Sequence, residues 1–288
     1  MPSARQAFSL NFPDGQTLAL GARTLVMGIL NVTPDSFADG GERVEPAAAI
    51  AAAIAMARAG ADLIDLGGES TRPGADPLPA EEEWRRLAPV LEGLRGRIGT
   101  PVSVDTYKAV VAERAIALGA AMVNDVSALT LDPGMAGVVA RHNVPVVLMH
   151  LRGRPRDMYA HAHYADVVGE VASELAARVR AAEAAGIPSS QIVVDPGLGF
   201  AKRAEHSLAV LGGLERLAVL GRPILVGPSR KSFLKAALGD VPASERAWGT
   251  AAAVTAAVLG GAHIVRVHDV AEMVQVVRVA DAVRAAGL

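Results

Sequence analysis

One pattern runs along almost the whole chain and narrows its fold more than any single motif. Short, nearly continuous apolar runs are each followed by an alanine-rich amphipathic stretch, eight times over. The apolar runs are Thr24–Leu30, Asp62–Gly67, Pro101–Asp105, Met122–Val126, Val144–Met149, Ile192–Asp195, Pro223–Val226 and His263–Val267. A run such as Val144-Pro145-Val146-Val147-Leu148-Met149 does not alternate with polar residues, so both strand faces are to be buried, as parallel sheets require. Between the runs the spacing predicts helices over Pro46–Ala59, Ala80–Leu94, Lys108–Leu118, Pro133–Arg141, Tyr164–Ala185 and Ser207–Leu217. Strand seven is followed by two, Arg230–Ala237 and Ala247–Leu259, and Val270–Ala285 closes the chain. Eight consecutive β-α units predict an α/β fold, a single (β/α)8 TIM barrel without a domain linker. A doubly wound open sheet is the alternative, but no Gly-x-Gly-x-x-Gly turn follows the first strand. Ahead of the repeat, Phe8 to Leu20 alternate around Pro13-Asp14-Gly15, which predicts a short N-terminal β-hairpin within residues 1–22. The expectation is one domain over residues 1–288 with that hairpin as an extension.

Composition narrows the partners. The 288 residues are 51% apolar and 20% charged, a globular balance with material for a sizeable core. Lys plus Arg number 28 against 30 for Asp plus Glu, with no basic stripe or tail, so a nucleic-acid partner is not expected. No basic amphipathic segment points to a membrane surface, and apolar runs such as Ala47 to Ala57 fall short of the ~18 residues of a spanning helix. The absence of cysteine excludes disulfides and thiolate metal sites, and Met1 to Gln6 carries no apolar signal core. A cytoplasmic protein is the expectation.

The strand ends carry the chemistry. Strand one runs into Asn31-Val32-Thr33-Pro34-Asp35-Ser36-Phe37-Ala38-Asp39-Gly40-Gly41, a loop whose proline and glycines forbid regular continuation. The other strands end in Gly67-Gly68-Glu69-Ser70-Thr71-Arg72-Pro73-Gly74, Ser103-Val104-Asp105-Thr106, Asn124-Asp125, Met149-His150 and Asp195-Pro196-Gly197-Leu198-Gly199-Phe200-Ala201-Lys202. Strands seven and eight end in Gly227-Pro228-Ser229-Arg230-Lys231-Ser232 and Arg266-Val267-His268-Asp269. In a barrel all of these meet at one mouth, where such folds place their active sites. Asp105, Asn124 and Asp195 form one group. A buried carboxylate needs N–H donors, and an amino-pyrimidinone edge supplies two in parallel. The alternative is that these acids cap helices or pair with Lys and Arg. Arg72, Arg230, Lys231, Arg266 and His268 form a second group. Ser229-Arg230-Lys231-Ser232 opens a predicted helix, and cations there point to an anion held against backbone N–H groups; a solvated Arg-Lys face, or a Schiff-base role for Lys231, is the alternative. His161-Ala162-His163 has metal-ligand spacing, but no further ligands lie nearby in the sequence, and a surface position is expected. Trp84 and Trp248 fall in helical patterns and are expected to pack.

These motifs together resemble the bacterial dihydropteroate synthases, a family of pterin-binding enzymes, from Leu25 to Met273. The matching segments are Met27–Gly41, Gly67–Gly74, Ser103–Lys108, Asn124–Ala128, Leu148–Gly153, Asp195–Phe200, Ser229–Leu234 and Arg266–Val270, in the family's order. The resemblance implies a transferase of folate biosynthesis and sulfonamide target, in which para-aminobenzoate displaces diphosphate from a 6-hydroxymethyl-7,8-dihydropterin diphosphate. It implies that Asp105, Asn124, Asp195 and Lys231 hydrogen-bond the pterin while Val126, Met149, Phe200 and Arg266 pack around it. It implies that Asn31, Thr71, Arg72, Arg266 and His268 hold the diphosphate, with Mg²⁺ at Asn31, and that Phe37, Arg72, Pro73, Lys231 and Ser232 form the aminobenzoate pocket. Catalytic roles fall to Asp105, Asp195, Lys231, Arg266 and His268, with Asp39 as a proton acceptor or loop organiser. The resemblance also suggests a homodimer; the apolar Ala247–Leu259 stretch serves either such an interface or simply the barrel. Leu151-Arg152-Gly153-Arg154-Pro155-Arg156 is more cationic than the family's pattern. The rival readings are a pterin-barrel methyltransferase acting on methyltetrahydrofolate, which needs neither Thr71-Arg72-Pro73 nor Ser229-Arg230-Lys231-Ser232, and a non-catalytic pterin-binding protein, which needs no loop bearing Asn31, Asp35, Phe37 and Asp39.

Overall fold

The computed structural model describes residues 5–33, 46–72 and 74–287. It opens with a hairpin, β1 (Phe8–Asn11) and β2 (Thr17–Leu20), paired antiparallel with Phe8 opposite Leu20. Eight parallel strands follow: β3 (Leu25–Asn31), β4 (Leu63–Gly67), β5 (Val102–Asp105), β6 (Met122–Asp125), β7 (Val146–Met149), β8 (Ile192–Asp195), β9 (Leu225–Val226) and β10 (Ile264–Val267). Their order in the sheet is β8-β7-β6-β5-β4-β3-β10-β9, and a parallel bridge from Val194 to Ile224 joins the two ends into a barrel. The predicted strands are all present. β9 is the shortest because it lies at this seam, where one bridge replaces a ladder.

Helices α1 (Pro46–Arg58), α2 (Ala80–Leu94), α3 (Ala109–Ala117), α4 (Met135–His142), α5 (Val167–Ala184), α6 (Ala204–Gly212), α7 (Lys235–Leu238), α8 (Ala247–Leu259) and α9 (Val270–Ala286) cross over between and after the strands. Alanine lets them lie close to the sheet: Ala49 and Ala53 of α1 are fully buried. Two departures from the expected helices have local causes. The stretch predicted over Ser207–Leu217 breaks at Gly212-Gly213 and continues as a 3₁₀ segment, Leu214–Leu220. The stretch predicted over Arg230–Ala237 does not open at Arg230, whose φ of 58° is left-handed. It begins as a 3₁₀ turn, Ser232–Leu234, and becomes only the single turn of α7. A one-turn helix has little macrodipole, so the expected helix-terminus anion site is corrected. Trp248 is also a correction: it is 86% exposed, while Trp84 packs on the core as expected.

Apolar side chains form two clusters. The larger fills the layer between strands and helices. The smaller lies at the amino ends of the strands, where Leu25, Met27, Leu63, Met122, Val147, Val193, Leu225 and Ile264 meet Leu10, Phe12 and Leu20 of the hairpin segment. The opposite end of the strands is left to polar residues. Among the described residues no helix is long and apolar enough to cross a membrane.

Candidate active site at the carboxyl ends of the strands

Strand register places the polar strand ends side by side. Asn31 of β3 lies beside Gly67 of β4, Gly67 beside Asp105 of β5, and Asp105 beside Asn124 of β6. Further round, Met149 of β7 pairs with Asp195 of β8. Gly67 carries no side chain between Asn31 and Asp105. A Cβ there would lie 3.5 Å from Asn31 Oδ1 and from Asp105 Cβ.

Arg266 of β10 ties the acids together. Its Nε donates to Asp65 Oδ2 at 2.6 Å and its Nη2 to Asp105 Oδ2 at 2.7 Å. Asp65 Oδ2 also accepts from Asn124 Nδ2 at 2.8 Å. Burial works against charge on Arg266, but Asp65 and Asp105 hold its pKa above the ordinary value. Asp105 is pushed up to about 7, chiefly by burial and further by Asp65, with Arg266 opposing. Its Oδ1 is buried and has no hydrogen-bond donor. Asp195 Oδ1 accepts from the Gly197 N–H at 2.7 Å, and burial raises its pKa against the pull of Lys231. Neither acid caps the following helix. The ion-pair alternative holds for Asp105, whose partner Arg266 belongs to the same cluster.

Lys231 Nζ donates to the Leu198 carbonyl at 2.5 Å and stands 4.6 Å from the centre of the Phe200 ring. Burial lowers its pKa to about 8, with Asp195 working to keep it charged. His268 is fixed by Ser229: the serine Oγ accepts from His268 N–H at 3.2 Å and lies 2.9 Å from Nδ1. The 2.9 Å contact forms with either partner donating, the hydroxyl to Nδ1 or Nδ1–H to the second lone pair of Oγ. Burial and the neighbouring Arg266, Arg230 and Arg72 pull His268 down to about 3, so it is neutral at pH 7 and does not count among the cations. Arg230 is engaged by Asp269, its Nε donating to Oδ2 at 3.1 Å. Val126 and Met149 are buried, Phe200 and Thr71 half-buried, and Arg72 and Ser232 exposed. Phe37, Asp39 and Pro73 lie outside the described residues. His161 and His163 are exposed, as expected. Among the described residues no three His, Cys, Asp or Glu cluster as a metal site.

Asp65 is the residue that sequence reasoning missed. Strand parity could have found it: Leu63, Asp65 and Gly67 share one strand face, so an acid in that run points where Gly67 and its neighbours point. The network Glu174–His150–Lys202 under the β8 loop was also missed. His150 Nε2 lies 3.0 Å from Glu174 Oε2 and its Nδ1 2.8 Å from Lys202 Nζ.

A parallel barrel whose mouth gathers buried acids, an amide, two lysines and an arginine is the frame of an enzyme for a small, donor-rich and anionic substrate. The model of the pterin binding enzyme family matches residues 27–268, and the chain belongs to that family. It is 48% identical over 271 residues to the dihydropteroate synthase of Synechocystis sp., covering 94% of each chain. Its fold is similar to that of Xanthomonas albilineans dihydropteroate synthase with 4-aminobenzoic acid, at TM-score 0.90 and 46% identity, covering 97% of this chain and 99% of the other. It is also similar to the same enzyme in complex with 7,8-dihydropteroate, at TM-score 0.86 and 43% identity, covering 96% and 99%.

Proposed function

We propose that the protein is a dihydropteroate synthase, condensing 6-hydroxymethyl-7,8-dihydropterin diphosphate with para-aminobenzoate to give 7,8-dihydropteroate and diphosphate. The observation that carries this reading is the orphaned Asp105 Oδ1, an acceptor buried without a donor beside Asn124 and Arg266. A pterin edge supplies the missing N–H groups, with Asp195 as a second acceptor and Asn124 and Lys231 as donors. Val126, Met149, Phe200 and the Arg266 side chain supply its walls. Arg266, neutral His268, Thr71 and Arg72 take the diphosphate, and Arg72, Lys231 and Ser232, with Phe37 and Pro73, border the aminobenzoate.

In this reading the pterin methylene–oxygen bond breaks and its electron pair leaves on diphosphate. Arg266 and His268 stabilise that charge as it develops. Asp105 and Asp195, in their ionised form, favour positive charge on the pterin. The aryl amine then forms the new C–N bond and releases a proton, with Asp39 read either as its acceptor or as an organiser of the loop that carries it. For Mg²⁺ brought in with the diphosphate, Asn31 Oδ1 would be the protein's ligand, one amide oxygen beside phosphate oxygens and water. When bound there, the ion supplies charge neutralisation on the leaving group.

The chain is read as one pterin-binding barrel, hairpin included, working in the cytoplasm as a homodimer. Trp248 and Leu259 project from one side of α8, which packs on α9, where Val279 and Val283 are exposed. Exposed apolar side chains on adjoining helices support a subunit contact.

Diphosphate release on mixing both substrates tests the reading. It is expected to require both, and to fall when a sulfonamide competes with the aminobenzoate. No release with both present overturns it, since neither a methyltransferase nor a pterin-binding protein yields diphosphate.

A further inference from the structure

Lys202 follows β8 and is 1% exposed, and none of the pterin, diphosphate or aminobenzoate contacts assigned above uses it. Its ammonium has three donors and three partners: His150 Nδ1 at 2.8 Å, the Phe200 carbonyl at 3.1 Å and the Gly197 carbonyl at 3.2 Å. His150 must then be the Nε2–H tautomer, with Nδ1 accepting from lysine and Nε2 donating to Glu174. Glu174 is held in turn by Arg152, whose Nε donates at 3.0 Å, so the chain reaches from the loop's underside to α5.

The loop above has one available shape. Gly197, Gly199 and Ala201 all have positive φ, at 68°, 79° and 47°. A Cβ on Gly197 would sit 2.2 Å from the His150 carbonyl oxygen, so the loop backbone lies directly on the end of β7. Two amines then divide its carbonyls. Lys202 takes those of Gly197 and Phe200 from below, and Lys231 takes that of Leu198. The Gly197 residue held by Lys202 through its C=O is the one whose N–H fixes Asp195 Oδ1 at 2.7 Å. Phe200, held likewise, carries the ring beneath Lys231. One buried amine therefore sets the orientation of an acid and an aromatic ring that face the same ligand position.

We infer that Lys202 is a positioning residue, holding the 197–200 loop so that Asp195 and Phe200 meet the pterin in one fixed geometry; this rests on the pterin reading given above. A positioned site gains affinity because ordering costs are met before the ligand arrives. The effect should fall chiefly on the pterin, since among the described residues the hydrogen-bond partners of Lys202 are His150, Gly197 and Phe200, none of them assigned to the aminobenzoate.

The test is Lys202→Met, which keeps length and apolar bulk and removes every donor. Titration with 6-hydroxymethylpterin should show at least tenfold weaker binding than the unaltered protein. In turnover the KM for the pterin substrate should rise to match, with the KM for para-aminobenzoate within twofold. A lysine that serves folding alone would lower Tm and the active fraction, moving kcat and leaving both KM values in place. That result, or pterin binding within twofold of the unaltered protein, overturns the inference. Should the methionine variant not fold, Lys202→Gln keeps one shorter donor and is expected to bind pterin at an intermediate affinity; affinity equal to that of the unaltered protein overturns the inference. Because binding is read without turnover, an unaltered protein that binds pterin yet releases no diphosphate rejects the synthase reaction alone and leaves the Lys202 comparison decisive.

Discussion

Replacing Arg266 with Met isolates the energetics at the centre of the barrel mouth. Arg266 is the cation shared by Asp65 and Asp105, at 2.6 and 2.7 Å, and Met removes it at nearly constant bulk. Breaking a buried pair by deleting one partner costs about 3–5 kcal/mol when the other charge stays ionised. Asp105 need not stay ionised, because burial already raises it from 3.8 to about 7 while Arg266 pulls it down. Without Arg266 it rises further. A carboxyl whose folded pKa exceeds its unfolded value binds its proton more tightly in the folded state. Stability therefore falls as pH climbs from about 4 to the folded pKa, at about 1.4 kcal/mol per unit, and levels off above it. The unaltered protein levels off near pH 7 and Arg266→Met continues downward. Urea unfolding should give a modest difference between the two at pH 6, where both lose stability in parallel. By pH 8.5 the difference should be larger by about 2 kcal/mol, from the same slope. A difference that is equal at the two pH values, or smaller at pH 8.5, refutes the account of Asp105 as an acid restrained by one arginine.

Other predictions concern separate parts of the molecule. Asp195→Asn should weaken 6-hydroxymethylpterin binding and slow turnover by tenfold or more; native affinity and rate would remove Asp195 from the site. Trp248→Glu should shift the sedimentation coefficient from dimer to monomer at micromolar concentration, and an unchanged value would place the subunit contact elsewhere. His263, below the barrel, is pulled from 6.5 to about 4 by burial, so the unfolded chain binds its proton first as pH falls. Its share of stability should be intact above pH 6.5 and decline by about 2 kcal/mol on reaching pH 5, at 1.4 kcal/mol per unit. His263→Asn, compared by urea unfolding at pH 7 and 5, should flatten that loss.

The barrel was legible because burial on both faces leaves an unambiguous mark: strands without alternation, spaced by helical stretches. Asn31, Asp105, Asn124 and Asp195 stand at strand ends in the structure as in the sequence reading, since a parallel strand delivers its last residues to one face of the fold. Less legible was how those groups bond to one another. The Arg230 to Ser232 stretch reads as a helix start by composition, but the left-handed Arg230 and its pairing with Asp269 are tertiary facts. His268 reads as a cation beside arginines, yet the arginines themselves, with burial, keep it neutral. Asp65 sits inside its strand, away from the ends where attention falls. Trp248 reads as core because apolar residues surround it in sequence, whereas its side of α8 faces outward. Unlike the local break at Gly212-Gly213, these misses turn on tertiary surroundings, which periodicity cannot supply.

The hairpin at the start of the chain bears on how the molecule is made. Leu10, Phe12 and Leu20 are buried against side chains from β3, β4, β6, β7, β8, β9 and β10. A two-stranded hairpin is barely stable alone, so it gains its place only when those strands have assembled around it. Synthesis runs the other way, and residues 8–20 emerge before any strand of the barrel. A segment made ahead of the barrel strands is thus expected to be among the last to be buried. It acts as a stopper that seats when the vessel is complete, and its docking reports that the barrel has closed.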